Sequence, residues 1–161
     1  MFASDVDATA VEWCQSHFEF VDCKLNGEEP PLAYPEGQFD LVWAISVFTH
    51  LDEERQFSWL GELRRILKPE GILLATTHGR FFWERLPRRS VQETEAHGFL
   101  YARTGVDRGM LPDWYQAAWH TQEYVGKEWG RFFDLLDYLP RGMHDRQDLV
   151  VLQRADGARS S

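Results

Sequence analysis

The sequence predicts an α/β fold whose mostly parallel sheet closes on an antiparallel hairpin. Two stretches carry that expectation. From Gln38 to Gly79 the chain reads as one strand–helix–strand unit: an apolar run in QFDLVWAISVF, a helical pattern in THLDEERQFSWLGELRRILK, a Pro-Gly stop, and a second apolar run in ILLATTHG. Such a crossover is right-handed and sets its two strands parallel. Near the C-terminus, Phe132 to Leu139 and Asp148 to Arg154 also read as strands. Parallel pairing needs a crossover of roughly a dozen residues or more. Only eight residues separate these two strands, so they pair antiparallel.

The remaining elements follow in chain order. Met1-Phe2-Ala3 reads as the end of a strand, and Ser4-Asp5-Val6-Asp7 leads into a helix with Ala8, Ala10, Val11 and Cys14 on one side. Asp7 is placed to cap that helix. Phe18, Phe20 and Cys23 alternate in part with Glu19, which predicts a strand near residues 18–24. Asn26 to Gly37, with Pro30, Pro31 and Pro35, is a loop. Leu41 to Ile45 is nearly continuously apolar, as expected of a parallel strand covered by helices on both faces. In the helix that follows, Asp52 or Thr49 can cap the N-terminus and Glu53 and Glu54 favour its first turn. Phe57, Leu60, Leu63 and Leu67 keep helical spacing, and Pro69 with Gly71 ends the helix. Arg80 to Trp119 shows no periodicity and carries Pro87, Gly98, Gly105, Gly109 and Pro112. That is too long for an ordinary connection and reads as a lid or inserted subdomain at 80–119. Thr121 to Trp129 predicts a short helix opened by His120. The whole reads as one domain over 1–155 with a disordered tail at 156–161.

Acids outnumber bases 26 to 17, a net charge of -9. That argues against nucleic acid or an anionic membrane as partner, since both call for a basic face. No apolar run approaches the roughly 20 residues a membrane-spanning helix needs. MFASDVDATA lacks the basic and apolar regions of a signal peptide, so a cytoplasmic protein is expected. Cys14 and Cys23 form no metal-type pair and read as packing thiols. The six histidines have no paired spacing, and no metal site is expected.

The order of elements resembles the class I S-adenosylmethionine-dependent methyltransferases, whose Rossmann-like sheet is parallel except for a strand inserted by a final hairpin. Locally, SDVDATAVEWC is similar to the family's segment after the second strand, GQFDLVWAISVFTHL to its fourth strand and exit, and ELRRILKPEGILLATTHG to the next helix and fifth strand. The resemblance covers roughly residues 1–79 and 120–154. It implies S-adenosyl-L-methionine as cofactor and methyl transfer to a small-molecule or saccharide-like acceptor. The alternative is a non-catalytic remnant of the fold that binds cofactor weakly or not at all.

The resemblance also implies site residues. Asp5, with Val6 beside it, matches the acidic position at the end of the second strand, where a carboxylate accepts hydrogen bonds from ribose hydroxyls. Asn26 falls where the family faces the adenine amino group, and an amide can both donate and accept there. Ala44 and Ser46 lie at the carboxyl end of the fourth strand, where small residues would let the methionine part of the cofactor approach. His50, in the VFTHL turn, and His78, at the end of the fifth strand, are the candidate base or acceptor contacts; His120 is a weaker one. Methyl transfer from a sulfonium asks mainly for in-line alignment, so no fixed catalytic motif is expected.

From Arg80 to Arg108 there are six arginines against four acids, a charge excess a lid could use on a phosphate or carboxylate, or a solvated surface with local ion pairs. The family's first strand and glycine-rich loop have no counterpart here, and no Gly-x-Gly occurs. The sequence therefore reads as N-terminally truncated. Its sheet would then have a gap, which a homo-oligomer or a partner chain would cover.

Overall fold

The computed structural model describes residues 1–103 and 115–155. It divides into two compact units, Met1–Pro35 and the chain from Glu36 onward. In the first unit, β1 (Phe2–Asp5) and β2 (Asp22–Leu25) run parallel on either side of α1 (Ala8–His17) in sequence, paired from Phe2↔Asp22 to Asp5↔Leu25. Asp7 caps α1 as expected, its carboxylate accepting the Thr9 and Ala10 amides at 2.8 and 3.3 Å. Asp7→Ala is expected to lower stability by about 1 kcal/mol, the usual worth of a cap. A shifted denaturant midpoint at unchanged slope would bear this out, and an unmoved midpoint would count against it.

The strand expected near 18–24 begins only at Asp22. The Phe18 amide donates to Cys14 O at the helix exit, and the Val21 amide donates to Phe18 O. Residues 18–21 thus spend their backbone on leaving the helix and turning. Phe18 and Phe20 stay exposed and meet each other's rings at 5.8 Å, and Trp13 stacks on His17 at 4.2 Å. Cys14 and Cys23 are free thiols.

In the second unit, β3 (Phe39–Ala44), α2 (Glu53–Ile66) and β4 (Leu67–Thr77) form the expected parallel βαβ unit, in register from Leu41↔Ile72 to Ala44↔Ala75. The sheet continues to β8 (Gln147–Gln153) and β7 (Asp134–Met143) in the order β3-β4-β8-β7, with both added pairings antiparallel. Asp52, not Thr49, caps α2 by accepting the Arg55 amide at 2.9 Å. The helix stops at Ile66, ahead of the Pro-Gly stop, and Leu67 to Gly71 already belong to β4. A residue before proline avoids helical backbone. The carbonyls of Arg65 and Ile66 accept the Gly37 and Gln38 amides at 2.9 and 2.8 Å, so the helix end is satisfied there.

Two burial expectations need correction. Leu41 and Trp43 of β3 are exposed, at 45% and 67%, although the strand was expected to be covered on both faces. Among the described residues β3 pairs on one edge only, and its packed face carries Val42 and Ala44. On α2, Gln56 rather than Phe57 joins Leu60, Leu63 and Ile66 in the core. Phe57 instead lies against the Phe132 ring at 5.9 Å.

The aperiodic stretch is built from short pieces: α3 (Arg80–Trp83), α4 (Arg88–His97), and the antiparallel pair β5 (Phe99–Ala102) and β6 (Ala117–His120). Trp83, Leu100, Ala117 and Trp119 form a small core of their own. Elements of four to ten residues are too short to register as a periodicity. His120 closes β6 instead of opening a helix; Thr121 caps the short α5 (Gln122–Glu128).

The hairpin between β7 and β8 is also tighter than eight residues. The strands run on to pair Met143 with Gln147, and His144 and Asp145 both take positive φ, at 51° and 57°. The Arg146 amide donates to Met143 O across these two residues, and Arg146 itself completes a three-residue connection to Gln147. Residues 156–161 and the expected tail lie outside the described residues. No helix among the described residues is long and apolar enough to cross a membrane.

Candidate active site

The residues singled out from the sequence fall at strand ends. In the first unit Asp5 ends β1 and Asn26 follows β2, and the Asn26 amide donates to Asp5 O at 3.0 Å. Asp5 is exposed, with Oδ1 accepting the Asp7 amide at 2.9 Å. Val6 is exposed beside it. Asn26 turns its Nδ2 onto Gly27 O at 2.7 Å, so that donor is engaged within its own loop. A carboxylate in this position fits the hydroxyl pair of a ribose in kind; the amide fits an adenine edge less directly.

In the second unit Ala44 is buried against Ala75 at the end of β3. Ser46 follows with φ 58°, a left-handed backbone that serine seldom adopts. It is held there from two strands: its amide donates to Thr76 Oγ1 at 2.8 Å, and its hydroxyl bonds with the Gln147 amide at 3.1 Å. Strained backbone of this kind tends to occur at functional sites.

The same turn carries His50. Its Nδ1 donates to Gln116 O at 2.9 Å, and its ring stacks on Tyr115 with centroids 4.2 Å apart. His78, just past β4, meets it edge to face at 6.0 Å, so the fold brings together the two histidines chosen from the sequence. His78 packs on Phe82 at 4.4 Å, and its Nδ1 is buried without a hydrogen-bond partner. Burial, reinforced by the neighbouring His50 charge, pushes the His78 imidazole down to about 4 against a lesser opposing hydrogen bond to the Ala118 backbone. The ring is therefore neutral near pH 7, able to accept a hydrogen bond and weak as a base.

Other residues shape this rim without any sequence signal having named them. Gln56 is fully buried and reaches back to the turn from α2. Its one trace in the sequence is a polar residue four before Leu60 and seven before Leu63, on the apolar stripe. Thr76 and Gln147 act through pairings set by the sheet. Asp148 is 3% exposed and accepts the Tyr138 hydroxyl and the Arg141 amide at 2.7 and 2.8 Å. Burial, then the Asp148 charge, pushes the Tyr138 phenol well above its usual range.

The arginines of the aperiodic stretch are partly engaged. Arg80 pairs with Glu84, and Arg85 lies 3.7 Å over the Phe81 ring. Asp107 and Arg108 fall outside the described residues. Among the described residues no cluster of three His, Cys, Asp or Glu could hold a metal.

Residues 1–75 match the family model described as a methyltransferase domain. The fold is similar along 95% of the chain to an S-adenosylmethionine-dependent methyltransferase from Mesorhizobium loti, with a TM-score of 0.68, 11% identity and 79% of that chain covered. Residues 1–75 are thus similar to a methyltransferase domain, and the chain has the fold of such enzymes. The chain is 30% identical over 115 residues to the 2-methyl-6-phytyl-1,4-hydroquinone methyltransferase of Synechocystis, covering 55% of this chain and 36% of that protein. It is 27% identical over 88 residues to the tRNA N(3)-cytidine methyltransferase METTL2 of Gallus gallus, covering 50% of this chain and 24% of that protein. The chain thus spans well under half the length of these two methyltransferases.

Proposed function

We propose that this chain is part of an enzyme that transfers a methyl group from S-adenosylmethionine to a small organic acceptor. The observation that supports it most is the rim at the ends of β3 and β4, where Ser46 is held in a rare backbone and His50 and His78 stand 6.0 Å apart. Ligands of open α/β sheets bind outside such strand ends. When bound, the cofactor supplies an electrophilic methyl on a sulfonium that carries its own leaving group. The protein then has to hold and align. Asp5 would take the ribose hydroxyls, with Val6 and Asn26 beside the nucleoside. Ala44 and Ser46 would leave room for the methionine part. His50 and His78 would orient the acceptor and receive its hydrogen bond, with a proton passing to an imidazole where the acceptor must lose one.

The two relatives differ by name in acceptor, a hydroquinone in one and a tRNA cytidine in the other. A net charge of -9 disfavours a polyanionic RNA, so a small acceptor is the reading adopted. Calorimetric titration of the folded chain with S-adenosylmethionine tests it, and saturable heat is expected. A folded sample that gives none at high concentration would sink the proposal for these residues. Asp5→Ala is expected to weaken binding at least roughly tenfold, the loss of about 1.4 kcal/mol of hydrogen bonding. Equal affinities would take Asp5 out of the site.

A further inference from the structure

We infer that Gln56 and His120 are positioning residues for His50, a reading that rests on the turn after β3 being the acceptor-side rim. That turn leaves the sheet at Ala44 and enters α2 at the Asp52 cap. Its carbonyls belong to no ladder, and buried ones must find donors elsewhere. Gln56 donates both amide hydrogens back to it, to Phe48 O at 3.1 Å and Leu51 O at 2.9 Å. These two carbonyls flank Thr49 and His50. The Thr49 carbonyl between them accepts the Ala118 amide at 2.8 Å.

With both its hydrogens committed to carbonyls, Gln56 presents Oε1 as an acceptor, and His120 Nε2 lies 3.1 Å away. That contact requires the hydrogen of His120 to sit on Nε2, which leaves Nδ1 as a bare lone pair. Nδ1 is indeed buried without a partner. His120 is fully buried, and burial pushes its imidazole down to about 3, so the neutral ring this contact needs is the stable form. The segment around β6 therefore meets the His50 turn three times: at Gln116 O, at the Ala118 amide, and through His120 and Gln56. It also holds the other histidine, since the His120 amide donates to His78 O at 3.0 Å. One strand thereby sets where both rim imidazoles stand. An error of about 1 Å there would matter to an in-line transfer.

The experiment is solution NMR on the whole chain. In the wild type, ring nitrogen shifts should show His120 protonated at Nε2; protonation at Nδ1 would overturn the inference without any variant. His120→Phe should speed exchange of the His50 and Ala118 amides at least roughly tenfold more than that of Val150 and Leu152 in β8, and shift the His50 ring signals. His120→Gln, which restores an N–H toward Gln56, should return both readouts toward the wild type. Exchange rising equally in β8, or His120→Gln behaving like His120→Phe, would reduce the pair to ordinary core structure. None of these readouts needs a methyl donor. They can fail while S-adenosylmethionine binds, and they can succeed where it does not.

Discussion

Gly79→Ala is expected to lower the melting temperature by about 10 °C, the effect of roughly 3 kcal/mol on a domain of this size. A Cβ at this position would stand 1.6 Å from Asp148 Oδ2 and 2.4 Å from its Cγ. Asp148 cannot step aside cheaply. Its carboxylate is buried and short, and it holds the Tyr138 hydroxyl and the Arg141 amide at 2.7 and 2.8 Å. Moving it breaks charge-assisted hydrogen bonds and leaves a charge in the core with fewer donors. The backbone of Gly79 is at φ -81°, open to any residue, so the demand for glycine is steric alone.

A double-mutant cycle separates this contact from general damage. In an Asp148→Ala background, alanine at position 79 should cost about 2 kcal/mol less, because the atoms it would strike are gone. Additive effects in the cycle, or an unchanged melting temperature for Gly79→Ala alone, would refute the close packing. Gly79 immediately follows His78, so the same substitution should also disturb the candidate rim.

The second large effect is acid sensitivity. His78 and His120 are pushed down to about 4 and about 3, against 6.5 for an unperturbed imidazole. Between pH 6.5 and about 4 the unfolded chain therefore binds protons that the native state refuses. Stability rises with pH wherever the unfolded state holds more protons, so it must fall as pH is lowered through this window. The contribution is whole above pH 6.5. By pH 5 the loss is about 2 kcal/mol for His120, and less for His78, which is partly open to solvent. Denaturant melts at pH 7 and pH 5 measure it. His120→Gln should show a flatter pH dependence than the wild type between these values. Equal slopes would mean that the buried imidazole is not the source.

Much of the scaffold was legible in the residues. Asp7 and Asp52 read as caps and act as caps, because a carboxylate before a helical run satisfies amides nothing else can reach. The βαβ unit and the closing hairpin were legible because crossover length and handedness leave few alternatives. Local reading failed where the backbone or the packing overrode the side-chain pattern. Phe18 and Phe20 alternate like a strand, but their backbone is spent on a helix exit and a turn. Trp43 looks like core, yet it is 67% exposed.

The site divides along the same line. His50 and His78 could be named from their places after two strands, since parallel strands bring their carboxyl ends to one edge. Gln56 was invisible as a site residue, because its contacts are backbone carbonyls and a histidine 64 positions on. The pairing of Gly79 with Asp148 was equally hidden, for it depends on β8 lying against β4 in one register. By itself the sequence determined the helix caps, the crossover and the hairpin, which follow from periodicity, composition and loop length, while the fold family was implied by a resemblance. The tertiary structure alone decided that Ser46 is held in a left-handed backbone, that His50 stands beside His78, and that Asp148 needs a glycine against it. These are contacts between residues some 30 to 100 positions apart, and only the packed sheet puts them within hydrogen-bonding or van der Waals reach.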